Sequence, residues 1–414
     1  MTVGRRVARI GVVGGGIVGL ACAYSLIQDG HAVTVMDRDP RGDKCSWGNA
    51  GGVAISSIVP ASVPGVLWRV PRWLADPLGP LSLRPAHAPL MLPWLRRFVA
   101  AGRPERVTAI AIALAALNRR AHADLAALLD AAGIGHALRH LGMVTVYETT
   151  EGFRADQAEW ALKRRHGIAC EELTGDEARA LEPALGANVR HGVLTPDWWQ
   201  VTDPREVWAG VLDAFVARGG AVERREVVGF DGGAPRFATG ERVAFDAVVI
   251  AVGAWSAELA ARVGDRASLE SERGYNTTLP RPGIALSRQV TFGEHHFVAS
   301  PLSIGLRIGG AAEFAGLRAP ANYARSAALL ALARRYLPGL SGEGGTSWMG
   351  NRPATPDSLP VIGRSPRQGS VIYAFGHGHL GLTQAATTGR LVADIVAERD
   401  SGLDLAPYSI ARFG

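Results

Sequence analysis

A glycine turn near the start of the chain constrains the fold more than any other feature. It has the sequence GGGIVG at 14–19 and joins an apolar strand to a helix, with a second apolar strand after the helix, all within 10–36. In this spacing Gly14 permits a tight turn, Gly16 lets a backbone approach a pyrophosphate, and Gly19 lets the helix pack closely on the strand. The segment therefore predicts a Rossmann-type βαβ unit.

Two further features predict how this unit binds a nucleotide. The exposed amides and the positive end of the helix, at Ile17 and Val18, attract phosphate groups. Asp37 ends the second strand, where a carboxylate accepts hydrogen bonds from a ribose 2′-hydroxyl and disfavours the extra phosphate of NADP. Arg38 follows it and is included in the predicted nucleotide site. The motif alone does not separate NAD from FAD, so both dinucleotides remain open at this point.

Composition argues against several other classes of protein. The net charge is +6, but lysine occurs only at Lys44 and Lys163 and the arginines are scattered, which argues against a nucleic-acid-binding surface. The three cysteines are an odd number without CxxC spacing, so we expect neither a disulfide framework nor a metal site. The longest apolar run, at 107–117, is too short for a bilayer, which needs about 20 residues. We expect a cytoplasmic protein, and peripheral contact with the inner face of the membrane stays open.

The order of the predicted elements indicates two domains. A chain of 414 residues is longer than one core usually organises. Strands and helices alternate at both ends, which is typical of an α/β domain with a parallel sheet. We therefore predict a discontinuous nucleotide-binding domain and a second, substrate-facing domain. The first comprises 1–95, 198–262 and 348–414, and the second comprises 96–197 and 263–347.

Three further segments, taken with the glycine turn, carry a family resemblance. They are SWGNAGG at 46–52, VVIAVGAWS at 248–256, and GNRPATPDSLPVIG at 350–363, the last followed by FGHGHLG at 375–381. In this order they resemble the FAD-dependent D-amino acid oxidase/dehydrogenase superfamily, most closely the small-subunit type of bacterial D-amino acid dehydrogenase, over essentially the whole chain. The resemblance implies an α/β fold with a Rossmann-type FAD-binding domain, plus a mixed α+β substrate domain with an antiparallel sheet. It also implies an oxidoreductase that acts on CH–NH or CH–NH₂ donors.

The same resemblance implies where FAD is bound. The loop that begins at Ser46 would pass beside the isoalloxazine ring and the pyrophosphate, and Val227 or Val228 would contact the adenine. The helix that begins near Leu380 would stabilise negative charge on the reduced flavin. None of the cysteines lies in the C-terminal flavin segment, so we expect FAD to be non-covalent. The predicted cofactor contacts outside the glycine turn and Asp37-Arg38 are Ser46, Asn49, Ala50, Gly51, Gly52, Val227, Val228, Ala251, Gly253, Trp255, Gly376, Gly378, His379, Leu380, Gly381, Leu382 and Thr383.

Four side chains are candidates for substrate binding and catalysis. Arg352 occupies the family's Arg-Pro position, where a guanidinium fork would bind an α-carboxylate and place the substrate Cα–H over the flavin. The phenol of Tyr275 would hydrogen-bond the carboxylate or the amine, with a structural role as the alternative. His377 and His296 are candidates for lining the pocket or handling protons, although histidines beside glycine turns are often structural. No general-base pair stands out, and an amine can lose its proton to solvent instead.

Two segments indicate the substrate. ERGYNTTLPRP at 272–282 and GLRIGGAAEFAG at 305–316 resemble the branch of the family that acts on cyclic imino acids, in particular cis-4-hydroxy-D-proline. Oxidation of its Cα–N bond would yield the pyrroline imine. Alternatives are a broad-specificity D-amino acid dehydrogenase, a glycine/sarcosine-type oxidase and, from another class, a non-catalytic nucleotide-binding subunit. The expected electron acceptor is a quinone or another redox subunit, with oxygen as the alternative. The Trp- and Pro-rich stretch 63–100 is predicted to be a lid or core segment, with a membrane-facing patch as the alternative.

Overall fold

The computed structural model describes residues 7–63, 66–76 and 79–414. Parts of the predicted segments 1–95 and 63–100 therefore lie outside the described residues. The strands are β1 (Arg9–Val13), β2 (Ala32–Asp37), β3 (Gly52–Val53), β4 (Leu81–Leu83), β5 (Leu138–His140), β6 (Met143–Tyr147), β7 (Glu171–Thr174), β8 (His191–Thr195), β9 (Trp199–Val201), β10 (Ala221–Arg224), β11 (Val227–Asp231), β12 (Ala234–Phe237), β13 (Ala247–Ile250), β14 (Glu270–Leu279), β15 (Gln289–Phe292), β16 (Phe297–Leu302), β17 (Gly305–Phe314), β18 (Thr346–Ala354), β19 (Val361–Arg364) and β20 (Val371–Phe375). The helices are α1 (Ile17–Gln28), α2 (Val66–Ala75), α3 (Ala88–Ala101), α4 (Pro104–Ala131), α5 (Thr150–Ala155), α6 (Gln157–Arg165), α7 (Gly175–Leu181), α8 (Pro204–Ala217), α9 (Ser256–Val263), α10 (Ala324–Tyr336) and α11 (Gly381–Val396).

A six-stranded sheet, counted over the described residues, carries the glycine turn. Its order is β10-β2-β1-β13-β20-β19, in which the first five strands are parallel and β19 runs antiparallel to β20. Both faces are covered, which is why its central strands are continuous apolar runs. Val249 packs with α1, α8 and α11 on one face, whereas Val248 and Ile250 pack with α9 and the β11–β12 hairpin on the other. The predicted Rossmann-type unit is confirmed.

The long helix α4 lies against the same sheet domain. Its apolar residues recur with helical spacing, and Leu125, Leu128 and Leu129 belong to the core that contains α1. The helix therefore packs on the parallel-sheet domain, although the predicted boundary placed 96–197 in the substrate domain. Neither α4 nor any other helix in the described ranges is long and apolar enough to cross a membrane.

The second sheet contains nine strands among the described residues. Their order is β18-β14-β17-β16-β15-β6-β8-β7, with β4 beside β17. Most neighbours are antiparallel, whereas β15 pairs with β6 and β17 with β4 in parallel. One face packs on α10 through a core of Phe292, Phe297, Leu329 and Tyr336. The other face is left open toward the first sheet, and the mixed α+β domain with an antiparallel sheet is confirmed.

Strand pairing crosses two of the predicted domain boundaries. β4 lies within 1–95 and β18 begins just before 348, yet both pair with strands of the second sheet. Two short interruptions also divide neighbouring elements: α5 ends at Ala155 before α6 begins at Gln157, and β10 ends at Arg224 before β11 starts the hairpin. The exact division into domains stays a prediction.

Candidate active site

A cavity of about 1050 Å³ lies between the carboxyl ends of the parallel strands and the open face of the second sheet. Parallel strands bring the loops that follow them to one edge of the sheet, where ligands of α/β proteins bind. Every predicted motif reaches this cavity. The predicted residues that border it are Gly14, Gly16, Ile17, Val18, Asp37, Arg38, Ser46, Asn49, Ala50, Gly52, Val227, Ala251, Gly253, Trp255, Gly376, Gly378, His379, Gly381, Leu382, Tyr275, His296, Arg352 and His377.

Five predicted cofactor residues are not on the cavity wall in the described structure: Gly19, Gly51, Val228, Leu380 and Thr383. A Cβ built on Gly19 would overlap the carbonyl oxygen of Gly14, so this glycine is needed for packing inside the turn. Thr383 Oγ1 accepts a hydrogen bond from the Ala54 amide at 3.0 Å. Leu380 is buried in an apolar cluster. The structure places these residues behind the cavity wall, Gly19 in the packing role expected of it, and direct contact of the other four with FAD stays a prediction.

The glycine turn has the geometry that a pyrophosphate needs. Gly14 has φ +107°, a conformation that L residues rarely adopt. A Cβ there would stand 2.5 Å from the carbonyl oxygen of Ala251, and this clash with backbone excludes any residue other than glycine. Gly16 is the N-cap of α1, and a Cβ on it would meet no atom within 4 Å. The backbone at Gly16 is therefore open to the cavity exactly where the positive end of α1 begins.

Asp37 lies at the end of β2 and is held in place by three donors. It accepts hydrogen bonds from the Gly15 amide at 2.6 Å, the Asp39 amide at 2.8 Å and Lys44 Nζ at 3.1 Å. Burial alone would raise the pKa of Asp37, but the Gly15 hydrogen bond and the charge of Lys44 outweigh it and leave the pKa below its usual value. The carboxylate is therefore ionised at neutral pH and suited to accept a ribose hydroxyl.

The loop 46–52 is attached to the second sheet by two side chains that sequence reasoning missed. Arg307 Nη1 donates to the carbonyl oxygens of Trp47 and Asn49 at 2.8 and 2.6 Å, and Asn276 Nδ2 donates to the carbonyl oxygen of Gly48 at 2.9 Å. Burial lowers the pKa of Arg307 to about 10, so the guanidinium stays charged. The loop is thus positioned by the substrate sheet as well as by its own turn.

The residues around this loop fit FAD. Ser46 borders the cavity, and its Oγ is buried without a hydrogen-bond partner among the described residues. A buried hydroxyl is expected to have a partner, so this one indicates a bound polar group. Together with the open backbone at Gly16 and the carboxylate of Asp37, it lines a continuous cavity that reaches from the glycine turn to 376–382.

The C-terminal turn closes the far end of the cavity. Gly376 and Gly378 have φ +81° and +54°, and the Gly378 amide donates to the carbonyl oxygen of Pro353 at 3.0 Å. His377 is buried, and its Nε2 lies 3.0 Å from Thr388 Oγ1. Burial lowers the pKa of His377 to about 3, so the ring is neutral at physiological pH. The contact with Thr388 joins the turn to α11, and the role of His377 toward a substrate stays a prediction.

Arg352 projects from the edge strand β18 onto the cavity face of β14. Its Nη1 donates to Glu272 Oε1 at 2.7 Å and to the carbonyl oxygen of Ala311 at 3.1 Å. Within the described residues, Nε and Nη2 make no hydrogen bond. The guanidinium lies flat against Gly274, where a Cβ would stand 2.8 Å from Nε. Two donors of a planar fork are therefore free for an anion.

The side chain of Tyr275 lies on the opposite face of β14. Side chains alternate along a strand, so Glu272, Gly274 and Asn276 face the cavity while Tyr275 faces α10. Its hydroxyl donates to Glu313 and accepts from the Asn322 amide, and the ring is buried in the core beneath α10. This arrangement corrects the expectation that the phenol binds substrate and supports the structural alternative.

His296 lies at the outer rim of the cavity. It is exposed, has φ +53°, and its ring packs edge-on against Trp73 at a centroid distance of 5.7 Å. Trp73 belongs to α2, within the stretch 63–100 predicted as a lid or core segment. His296 therefore borders the cavity beside α2, and its role in substrate binding stays a prediction.

The missed residues share a signal that the sequence does carry. Glu272 and Asn276 lie on the same face of β14, and Arg307 is the one charged residue in the first half of β17. Polar residues in the middle of strands that must pack on both sides are rarely left without a partner. Only the strand pairing brings Glu272, Asn276 and Arg307 to one cavity.

Comparison with known proteins agrees with this geometry. A family model described as DAO, FAD dependent oxidoreductase, matches residues 9–395. The chain is 35% identical to the D-amino-acid oxidase of Bradyrhizobium diazoefficiens over 100% of both chains, and 33% identical to D-amino acid dehydrogenase 2 of Ralstonia nicotianae over 98% of this chain and 100% of that one. The crystal structure of glycine oxidase from Geobacillus kaustophilus superposes with a TM-score of 0.74 at 25% identity, covering 98% of this chain and 99% of that one.

Proposed function

Because the chain belongs to the DAO family of FAD-dependent oxidoreductases and is an amino acid oxidase or dehydrogenase, we propose that it oxidises the Cα–N bond of a cyclic imino acid. The best candidate is cis-4-hydroxy-D-proline, and the product would be the pyrroline imine. FAD, once bound, supplies the two-electron acceptor for this reaction. The protein has to bind the substrate, orient its Cα–H and exclude water.

The observation that carries the proposal is the Arg352 fork. Its Nε and Nη2 make no hydrogen bond within the described residues, and Arg352 borders a cavity that the C-terminal turn at 376–382 also lines. A guanidinium fork binds a planar carboxylate through two parallel hydrogen bonds and so fixes its orientation as well as its position. An amino or imino acid held in this way has one face directed to the flavin side of the cavity, which is the proximity contribution to catalysis.

The wall beside the fork favours a compact ring. Arg352 donates to the carbonyl oxygen of Ala311, and Gly309, Gly310 and Ala312 border the cavity next to it. These short side chains leave room immediately beside the carboxylate anchor, where the ring of a proline derivative would lie. This room accommodates the cyclic substrate, and flavin reduction distinguishes it from a broad range of D-amino acids.

Anaerobic flavin reduction tests the substrate. The holoenzyme is mixed with cis-4-hydroxy-D-proline, D-proline, D-alanine, sarcosine or glycine, and loss of the visible flavin absorbance is followed. We expect the two D-proline derivatives to reduce the flavin fastest and L-proline not to reduce it. Similar rates with all D-amino acids would favour the broad-specificity alternative, and preference for sarcosine or glycine would favour the oxidase alternative. No reduction by any of them would leave a substrate outside this set or a non-catalytic binding subunit.

We also propose that electrons pass to a quinone or a second redox protein rather than to oxygen. Relatives carry both names, D-amino-acid oxidase and D-amino acid dehydrogenase. Turnover should be slow in air alone and rise on addition of a soluble quinone analogue, with little hydrogen peroxide formed. Stoichiometric peroxide in air would overturn this part of the proposal without affecting the substrate.

A further inference from the structure

A carboxylate stands beside the Arg352 fork at the cavity wall, and sequence reasoning gave it no role. Glu272 and Arg352 are direct cross-strand partners in β14 and β18, so both side chains leave the sheet on the same face. Both are one-quarter exposed and both border the cavity. The site therefore presents a positive and a negative group side by side to any ligand.

Only one of the two carboxylate oxygens of Glu272 accepts a hydrogen bond from Arg352. Its Oε1 accepts from Arg352 Nη1 at 2.7 Å, whereas Oε2 makes no hydrogen bond to the described residues. An ionised carboxylate has about four acceptor positions. The remaining acceptor positions of Glu272 are available to a ligand, because Glu272 and Arg352 border the same cavity and both side chains are partly exposed.

An α-amino or imino acid presents the matching pair of charges. Its carboxylate and its ammonium are attached to the same carbon, so they must be received by neighbouring groups of opposite sign. We propose that Glu272 binds the substrate nitrogen in its cationic form while Arg352 binds the carboxylate, so that the two residues form a site for the zwitterion. The proposal rests on the proposed function, in which Arg352 is the carboxylate anchor.

This assignment makes Glu272 a specificity-determining residue. A carboxylic acid without a basic nitrogen would meet Arg352 but would place an uncharged or electron-rich atom against the Glu272 carboxylate, and such a mismatch disfavours the wrong ligand. The site would therefore discriminate amino and imino acids from 2-hydroxy acids and plain carboxylates. A group that only orients Arg352 would not discriminate between them.

The test compares two ligands that differ only at the nitrogen. They are 2-methyl-D-proline and the corresponding tetrahydrofuran-2-carboxylate, in which ring oxygen replaces the NH group. The methyl group on Cα removes the hydrogen that would be oxidised, so both can be titrated into the holoenzyme by perturbation of the flavin spectrum without turnover. Dissociation constants are measured for the unmodified enzyme and for Glu272→Gln.

We expect Glu272→Gln to weaken the proline ligand by roughly tenfold to a hundredfold, the usual effect of losing a hydrogen bond between charged groups. The same change should leave the oxygen analogue unaffected or bind it more tightly, because Arg352 loses a competing anion. Equal weakening of both ligands would mean that Glu272 only orients Arg352, and no change in either would mean that it has no role. Both results overturn the inference.

Two further variants serve as controls. Glu270 lies on the same strand and face as Glu272, but it pairs with His87 at 2.9 Å and does not border the cavity. Glu270→Gln should therefore leave the dissociation constants of both ligands unchanged. Glu272→Asp keeps the charge and should restore discrimination in part, even if Glu272→Gln fails to retain FAD. If no amino or imino acid reduces the flavin while the ligand pair still discriminates, the proposed reaction fails and the zwitterion site stands.

Discussion

Replacing Gly274 with alanine should weaken substrate binding by Arg352 without lowering the stability of the fold. A Cβ at this position would stand 2.8 Å from Nε of Arg352 and overlap its Cζ and Nη2. Carbon and nitrogen atoms in ordinary contact are about 3.5 Å apart or more, so the guanidinium must move by roughly 1 Å. That movement strains the hydrogen bonds from Nη1 to Glu272 and to the Ala311 carbonyl, now 2.7 and 3.1 Å long.

The expected effect on binding is large and that on stability is small. A hydrogen bond between charged groups contributes about 1.5–3 kcal/mol, so KM for the amino acid should rise about tenfold to a hundredfold. A misplacement of about 1 Å can also lower kcat by up to about a hundredfold. The atoms displaced belong to the end of a flexible side chain, and Gly274 has no left-handed φ. The free energy of unfolding should therefore change by less than about 1 kcal/mol.

Three measurements on Gly274→Ala check this reasoning: bound FAD per chain, the thermal midpoint, and the substrate dependence of anaerobic flavin reduction. Gly369→Ala is the matched control, because a Cβ there would meet no atom within 4 Å and the residue is remote from the cavity. An unchanged KM would show that the guanidinium does not act from this position. Loss of FAD or a strongly lowered midpoint would show that the glycine has a structural role instead.

Four further outcomes are expected. Arg352→Lys keeps the charge but loses the fork, so KM should rise about tenfold in steady-state assays while FAD content stays the same. Gly16→Ala should abolish FAD binding by equilibrium titration with little change in the thermal midpoint of the apoprotein, whereas Gly19→Ala should lower that midpoint as well, because its Cβ would overlap backbone. Acid precipitation should release all of the FAD into the supernatant, and flavin that stays with the pellet would contradict non-covalent binding. Burial lowers the pKa of His377 from 6.5 to about 3, so as pH falls the unfolded chain binds a proton at this residue before the folded chain does. The free energy of unfolding should therefore be unaffected by this group above about pH 6.5 and should decrease as the pH falls from there toward 3. Denaturant titrations of His377→Gln should show a pH slope in that range that is smaller by up to about 1.4 kcal/mol per pH unit.

Local patterns were sufficient to predict the cofactor half of the site. The turn at 14–19 and the carboxylate of Asp37 depend on residues that are close in sequence, and each has one physical explanation in terms of backbone approach, helix polarity or ribose binding. The helix and strand types around them follow from periodicity in the same way. These features need no knowledge of which strand pairs with which.

The substrate half depends on strand register, which the sequence does not reveal. Glu272 becomes the partner of Arg352 only because β14 and β18 pair in one register, and a shift by one residue would turn it to the face beneath α10. The same alternation explains why the prediction for Tyr275 was wrong. Its position in the strand was recognised, but the face to which its phenol points was not.

Backbone pairing also links the substrate anchor to the flavin turn. β18 ends at Ala354, which forms a bridge with His377, and Pro353 accepts a hydrogen bond from the Gly378 amide. The residues on either side of these bonds are Arg352 and the N-terminal end of α11. Main-chain hydrogen bonds therefore fix the position of the proposed carboxylate anchor relative to the turn at 376–382. It follows that side-chain changes at Arg352 should alter substrate binding and turnover while the FAD content stays the same, whereas any change that breaks the bond at Pro353 should alter substrate and FAD binding together.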